Sequence, residues 1–476
     1  MEISLFNPFL WAILVVLFIT IKAIVKRLIQ LNEHEKLMKI GSEFRRKRNE
    51  KFAKFIEDNT DLIPSEDIQK EILNCKSLRD LQDKLEAGTF TSVQLLMHYI
   101  NRCQLYALKL NFIAQINFDS ALKLAKECDF IRRDNAKMSE IRRNSTDNGL
   151  LFGIPICFKD HLFLKGTHST QGCVNLLSYM HEETGILEQI VLNNGGIPFI
   201  KSNIPQLGLS FETNSNLYGK AWSPINHDRS PGGSSGGCAG LISTQTCPLS
   251  FGNDIGGSIR SPSSFWGIYG YKPTSRRVSC KSASTCGENF ARGQEHIVPT
   301  IGPMGYSIDD IVFGMKLLFD NVEKSMDPYI SPLKFDTEVY EEYRNKKRLR
   351  LGYYTYNQAI ECTKPVKRAV MNVVNALKDD HDLIEIDTTF MQDVTKMYSK
   401  LLLSTEMNLK ALGNEEFMPN YKGVRLGMSI PTILRPLVAN ILSMIGQERS
   451  ALYARYMGVK DTGKFYWNFI QSQKYS

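Results

Sequence analysis

Between Ser230 and Ser264 the chain is crowded with glycine and serine, yet large apolar residues run through the same stretch. Leu241, Ile242, Leu249, Phe251, Ile255 and Ile259 lie inside it, and Phe265 and Trp266 follow directly. A flexible linker has no use for such residues, because burying apolar surface is what offsets the entropy of ordering a chain. Glycine admits positive φ and lets two pieces of backbone approach closely. A Gly–Ser segment anchored in this way reads as a tight loop of a buried site, and the rest of the fold has to hold it.

The flanking sequence supplies the frame. Gly153-Ile154-Pro155-Ile156-Cys157-Phe158 is a short apolar run that ends at Lys159, as a buried strand would. Gly185 to Asn193 has helical character, Gly195-Gly196 breaks it, and Ile197 to Ile200 reads as the next strand. Upstream, Thr91-Ser92-Val93-Gln94 is a capping box that opens a helix, and Ser120 to Cys128 is amphipathic. Downstream, Arg350 to Tyr354 and Leu383 to Ile386 are strand-like, and Val366 to Leu377 between them is helix-like. Strands alternating with helices argue for the α/β class, with a mixed twisted β-sheet surrounded by helices.

Residues Ile3 to Ile21 carry no charge and are mostly Leu, Ile, Val, Phe, Trp and Ala. A bilayer core needs roughly 20 apolar residues in a helix. Glu2 precedes the run and Lys22, Lys26 and Arg27 follow it without a small-residue cleavage pattern, so the run reads as an uncleaved anchor rather than a signal peptide. Positive charge on its C-terminal flank places the body of the protein on the cytoplasmic side. Asn144-Ser145-Thr146 is a glycosylation sequon that matters only in the opposite orientation. The expected organisation is an anchor over 1–28, a charged helical stalk over 29–75 with a break at Pro64-Ser65, and a catalytic domain over 76–476. The basic run Arg45-Arg46-Lys47-Arg48 reads as a solvated helix face, or alternatively as contact with anionic headgroups.

A net charge of +8 over 476 residues does not point to nucleic acid. The ten cysteines form no C-x-x-C pair and no paired Cys/His spacing for zinc. Scattered thiols of this kind fit a reducing compartment. His161 and His168 lack an acidic or thiol partner at ligand spacing, so they read as packing or surface residues.

Three kinds of chemistry compete for the glycine-rich loop. A phosphate cradle needs G-x-x-x-x-G-K-[ST] or G-x-G-x-x-G, and neither is present. A nucleophile elbow needs G-x-S-x-G, which Gly233-Ser234-Ser235-Gly236-Gly237 matches. That reading makes Ser235 the nucleophile, with His296 or His381 as its downstream histidine, but no clear strand leads into the turn. The third is a serine nucleophile whose base is not histidine.

Here several motifs stand in order. Ser230-Pro231-Gly232-Gly233-Ser234-Ser235-Gly236-Gly237 is followed by Asp254-Ile255-Gly256-Gly257-Ser258-Ile259-Arg260, and Gly153 to Asp160 precedes both. Lys201-Ser202-Asn203-Ile204-Pro205, Gly270-Tyr271-Lys272-Pro273-Thr274 and Thr300-Ile301-Gly302-Pro303-Met304 complete the set. From about Ser77 to about Leu377 the chain resembles the amidase-signature family, and within it the membrane-bound fatty-acid amide hydrolases. The resemblance implies a Ser-Ser-Lys triad without metal or cofactor. Ser258 would be the nucleophile, Ser234 a bridging serine held by a cis peptide bond, and Lys159 the general base. The backbone N–H groups of Ile255, Gly256, Gly257 and Ser258 would form the oxyanion hole, each donor typically worth about 2.7–4 kcal/mol of barrier. Asp254 and Arg260, with Ser235, would support the loop structurally.

The same resemblance implies a lipid-amide substrate met at the membrane, and leaves room for a homodimer. Phe417 to Gly446 is rich in Met, Leu, Ile and Val, and reads either as a membrane-facing cap or acyl-channel wall, or as core helix. Asn253, Trp266 and Tyr306 depart from the family pattern, which favours Thr or Ser, a smaller residue and Arg at these places. The family continues beyond a helix like Arg449 to Gln471 with further strands and a second apolar segment. None precedes Ser476, so a C-terminally shortened fold is expected. Three functional classes follow: an active lipid-amide or ester hydrolase, with small non-lipid amides as the alternative substrates; an amidase-like soluble-type subunit working in a complex, which the N-terminal anchor argues against; and a catalytically silent membrane protein on the same fold.

Overall fold

In the computed structural model the described residues are 8–281, 283, 297–321, 327–358, 361–391 and shorter stretches between 393 and 446. The chain divides into two units. The first holds residues 1–290, 299–332 and 409–420; the second holds 291–298, 333–408 and 421–476.

The first unit is organised by a six-stranded sheet. Its strands are β1 (Ile113–Ile116), β2 (Pro155–Lys159), β3 (Ile197–Ser202), β4 (Leu249–Asp254), β5 (Tyr269–Gly270) and β6 (Thr300–Gly305), in the spatial order β1-β3-β2-β4-β6-β5. The three central strands run parallel, Phe158 standing beside Lys201 on one side and Phe251 on the other. β1 pairs antiparallel with β3, and β6 pairs antiparallel with β4 and β5. The sheet is therefore mixed, as the sequence pattern implies. β2, β3, β4 and β6 are buried along their whole length, which explains why β2 reads as a continuous apolar run rather than an alternating one.

Helices cover the sheet. Ser92–Arg102 begins with the expected capping box, Thr91 accepting from the Gln94 N–H and Gln94 accepting from the Thr91 N–H. Phe118–Arg132 packs on β3, Gly236–Ser243 on β2 and β4, and Ile308–Asp320 on β6. In an open α/β sheet the crevice beyond the carboxyl ends of parallel strands is where ligands gather. Lys159, Ser202 and Asp254 end the three parallel strands, so the sheet delivers the suspected site residues to that edge.

One helix spans Pro8–Asp58. Residues 1–7, where the predicted apolar anchor begins, lie outside the described ones. Among the described residues no helix is long and apolar enough to cross a membrane. The charged part of this helix corrects the expectation of a solvated basic run. Arg46 and Lys47 do face solvent, paired with Glu43 and Glu50. Arg45 instead donates to the backbone carbonyls of Asn216 and Leu217, and buried Arg48 donates to that of Ile113. The guanidiniums cap carbonyls that strand and loop ends leave open. One turn further on, Phe52 and Phe55 pack their rings on Phe118 at centroid distances of 5.0 and 5.1 Å. Phe52 is wholly buried, so Phe52→Ala is expected to cost about 3–5 kcal/mol in urea unfolding. A loss below 1 kcal/mol would mean this contact does not hold the helix down.

The second unit contains a parallel pair, β7 (Arg350–Tyr353) and β8 (Asp382–Glu385), joined through the helix Lys364–Leu377. This is the expected strand–helix–strand theme. Of the apolar stretch 417–446, residues 420–429 and 431 lie outside the described ones, as does the predicted helix Arg449 to Gln471. The described part includes the helix Arg435–Met444, with Leu437, Ile441 and Met444 exposed and Ala439 buried.

Candidate active site

Lys159 stands at the end of β2 with no exposed surface. Its Nζ donates to Ser234 Oγ at 2.7 Å, to Asn253 Oδ1 at 3.1 Å and to the Asn253 carbonyl at 3.4 Å. Burial disfavours the ammonium form and pushes its pKa down to about 8; the nearby Cys238, Asp254 and Asp160 oppose that shift without cancelling it. A lysine in this state exchanges protons near neutral pH.

Ser234 lies on the loop that enters the helix Gly236–Ser243, and the Gly233–Ser234 peptide is cis, as the family resemblance implies. Gly233 is required by close approach: a Cβ there would stand 2.3 Å from the Ser210 carbonyl oxygen. Thr213 clamps the loop from outside. Its hydroxyl donates to the Gly232 carbonyl at 2.8 Å and accepts from the Gly236 N–H at 3.1 Å. Residues 230–235 form no strand, so the Gly233–Gly237 match lacks the strand-to-helix turn of a nucleophile elbow. Ser235 Oγ is buried and has no partner among the described residues, while the Ser235 N–H donates to the Ser258 carbonyl at 3.1 Å. That bond ties the two serine loops together. His296 lies outside the described residues, and His381 belongs to the second unit.

Ser258 follows β4 on a half-buried bend. Asp254 holds this bend. Its carboxylate accepts from the N–H groups of Gly257, Ile259 and Arg260, at 2.7, 3.0 and 3.2 Å, and from the Arg260 guanidinium at 2.9 and 3.0 Å. Burial alone would raise its pKa, but the Arg260 guanidinium and these N–H groups overcome it and hold the carboxyl at about 2. The structural part expected of Asp254 and Arg260 is thus visible as hydrogen bonds. The same geometry qualifies the expected oxyanion hole, because the Gly257 N–H is occupied by Asp254. The N–H groups of Gly256 and Ser258 have no acceptor among the described residues. Gly257 has φ of 120°, a backbone state that favours glycine.

The structure brings Lys159 and Ser234 into direct contact and joins the Ser234 and Ser258 loops through backbone. Among the described residues no hydrogen bond links the two serine hydroxyls.

Three contributors escaped the sequence reading. Asn253 stands in the sequence only as a departure from the family pattern, Thr213 lies in a stretch without a motif, and Asp160 ends a motif that gives it no role. Asp160 is wholly buried and accepts from the Tyr218 hydroxyl at 2.7 Å, Gln115 Nε2 at 3.1 Å, the Thr170 N–H and hydroxyl at 3.0 Å, and the Gln171 N–H at 2.8 Å. This knot fixes the chain directly after Lys159. The one available signal was an acid adjacent to the lysine at the end of an apolar strand. His161 is fully buried and His168 half-buried against Phe44, and no His/Cys/Asp/Glu group among the described residues could hold a metal ion.

A mixed sheet whose parallel strand ends set a buried lysine against a glycine-lined serine loop defines an α/β architecture built around a lysine–serine centre. The sequence model of the family described as Amidase matches residues 94–457, and the chain belongs to that family. It is 32% identical over 300 residues to the vitamin D3 hydroxylase-associated protein of Gallus gallus, a match covering 63% of this chain and 60% of that one. It is 29% identical over 316 residues to fatty-acid amide hydrolase 1 of Sus scrofa, covering 66% of this chain and 50% of that one. These matches thus span between half and three-fifths of each relative's length. Among solved structures, a fatty acid amide hydrolase shares the fold at a TM-score of 0.71 and 20% identity, over 92% of this chain and 75% of that one.

Proposed function

We propose that this chain is a serine amidohydrolase of the Ser-Ser-Lys kind, cleaving amide bonds of fatty-acyl lipids at a membrane. The observation that carries the reading is the contact between the buried Lys159 amine and the Ser234 hydroxyl, 2.7 Å apart, at a pKa of about 8. Neutral Lys159 takes the Ser234 proton as Ser234 takes that of Ser258. The Ser258 oxygen then bonds to the substrate carbonyl carbon, and the carbonyl oxygen becomes an oxyanion facing the Gly256 and Ser258 N–H groups. Collapse of that adduct breaks the C–N bond. The proton returns through the same relay to the leaving amine, giving an acyl-enzyme and a neutral amine. Water, deprotonated by the same relay, releases the acid and restores Ser258.

An apolar substrate is supported by the surroundings of the two serine loops. Phe211 is 62% exposed, and a Cβ on Gly257 would stand 3.4 Å from its ring. Leu209 and Phe265 are also exposed. A membrane setting is supported by the first described turns of the long helix, where Ile13 to Phe18 are exposed and followed by Lys22, Lys26 and Arg27. That flank favours a body on the cytoplasmic side.

The test has two stages. Folded protein in lipid vesicles is treated with a serine-reactive fluorophosphonate; absence of labelling favours a silent protein on the same fold. Labelled protein is then assayed on acyl amides of increasing chain length. Each methylene that becomes buried is expected to add about 0.8 kcal/mol, close to fourfold in kcat/KM, until the pocket is filled. A flat series, or preference for the shortest amide, favours a small-amide amidase.

A further inference from the structure

A base must present a lone pair, and a neutral lysine amine has one lone pair and two N–H bonds free to rotate about the last carbon. In water the rotor is unconstrained. Around Lys159 Nζ three acceptors are placed: Ser234 Oγ at 2.7 Å, Asn253 Oδ1 at 3.1 Å and the Asn253 backbone oxygen at 3.4 Å. Two of the three come from one residue, near the end of the neighbouring parallel strand β4. If the two N–H bonds of the neutral amine go to these two oxygens, the remaining direction is the one toward Ser234. That is where the lone pair is needed. In the ammonium form the same three acceptors satisfy all three donors, so the amine need not turn between the halves of the cycle.

We propose that Asn253 is a positioning residue that aims the lone pair of Lys159 at the Ser234 hydroxyl. The inference rests on the Ser-Ser-Lys reading and goes beyond it, since the sequence marks Asn253 only as a departure from the Thr or Ser usual there. Asn253 acts through Lys159 and not on substrate. Its side chain is 6% exposed and its strand is paired on both sides, so the amide is held where it is. Oδ1 is the acceptor, because the ammonium form facing the carbamoyl –NH2 would oppose donor to donor. The other groups bearing on Lys159 are Cys238 from the helix Gly236–Ser243, Asp254 from β4, and Asp160 following β2, all of which favour its charged form. His161, next along the chain, is pushed well below the usual histidine range first by burial and then by Lys159 and Lys201, so it adds no opposing charge at neutral pH.

The experiment is the rate of fluorophosphonate labelling and of amide hydrolysis against pH, for the wild type and for Asn253→Asp, Asn253→Ala and Asn253→Ser, with thermal unfolding of each. A carboxylate in place of the amide favours the ammonium, so Asn253→Asp is expected to move the midpoint up by about 1–3 pH units. Asn253→Ala removes an acceptor that serves the charged form more strongly than the neutral one. It is expected to move the midpoint down and to lower the plateau, because the amine is no longer oriented. Asn253→Ser, which returns an oxygen on a shorter arm, is expected to recover part of that plateau. If one variant does not fold, the shift of Asn253→Asp or of Asn253→Ala against the wild type still gives the direction, and the recovery is read only where both Asn253→Ala and Asn253→Ser fold. Midpoints that stay at the wild-type value in folded variants, or that move the same way for Asp and Ala, overturn the role of Asn253 alone. A wild type that neither labels nor hydrolyses overturns this inference together with the Ser-Ser-Lys reading.

Discussion

Ser258→Ala is expected to abolish fluorophosphonate labelling and to lower kcat by a factor on the order of a million. The size follows from the role. Removing a nucleophile removes the acyl-enzyme route entirely, and what is left is binding and the backbone donors acting on water. Ser258 Oγ makes no hydrogen bond that supports the fold among the described residues, so the variant is expected to unfold at the wild-type temperature. Ser235→Ala is the informative partner. The Ser235 hydroxyl is buried and has no partner among the described residues, and the bond to the Ser258 carbonyl is made by the Ser235 backbone, which the substitution keeps. Labelling that survives Ser258→Ala and vanishes with Ser235→Ala would revive the nucleophile-elbow reading.

The second large effect is expected at Lys159. The wild-type rate should climb about tenfold per pH unit while the amine is mostly protonated, then level off above a pH of about 8, since the base is the uncharged form. The sign follows from burial: lowering the pKa puts neutral amine within reach at physiological pH, whereas an ordinary lysine near 10.4 would hold almost none. Lys159→Met keeps the length and apolar stem of the side chain and removes the amine. It is expected to reduce kcat by about 10²–10⁴ and to erase the rise with pH. Its stability should not fall in proportion, because a buried charge that costs desolvation is being replaced by an apolar chain. Persistence of the wild-type pH profile in this variant would remove Lys159 from the reaction.

How far these positions could be read beforehand differs from residue to residue. β2 was legible because a strand buried on both faces is apolar throughout and Lys159 ends it abruptly. β4 was not, although its partner lies beside it. Leu249–Asp254 contains Ser250, Gly252 and Asn253 within a Gly–Ser stretch, and its strand character comes from pairing with β2 and β6 rather than from its own residues. The helix Gly236–Ser243 was hidden for the same kind of reason. Its sequence GGCAGLIS has poor intrinsic helix propensity. Packing requires the glycine: a Cβ on Gly240 would stand 2.6 Å from atoms of the Phe112 ring.

The departures from the family pattern are the instructive cases. Each was visible as an odd residue, and none revealed its partner. Asn253 accepts from Lys159, Trp266 donates its indole N–H to the Pro231 carbonyl at 2.6 Å, and the Tyr306 hydroxyl donates to the Ser243 carbonyl at 2.9 Å. All three meet residues far away in sequence, which local pattern cannot specify. The basic run at 45–48 behaves alike. Its helical spacing separates Arg45 and Arg48 from Arg46 and Lys47, but the carbonyls that the first pair cap are supplied by residues 113 and 216–217.

The long helix has a mechanical consequence. It continues from Phe18 to Phe52 without interruption, a rise of ~50 Å at 1.5 Å per residue. Its second half is clamped along its length: Leu37, Met38 and Phe44 pack on the cluster around Val174 and Leu217, Arg45 caps the 216–217 loop, Arg48 caps β1, and Phe52 and Phe55 meet Phe118. A rod fixed at one end behaves as a lever. Whatever surface grips the first turns therefore dictates the heading of the first unit as a rigid attachment rather than a tether, and a glycine pair inserted just ahead of Arg27, before the first contact with the body at Glu416, would turn it into a swivel.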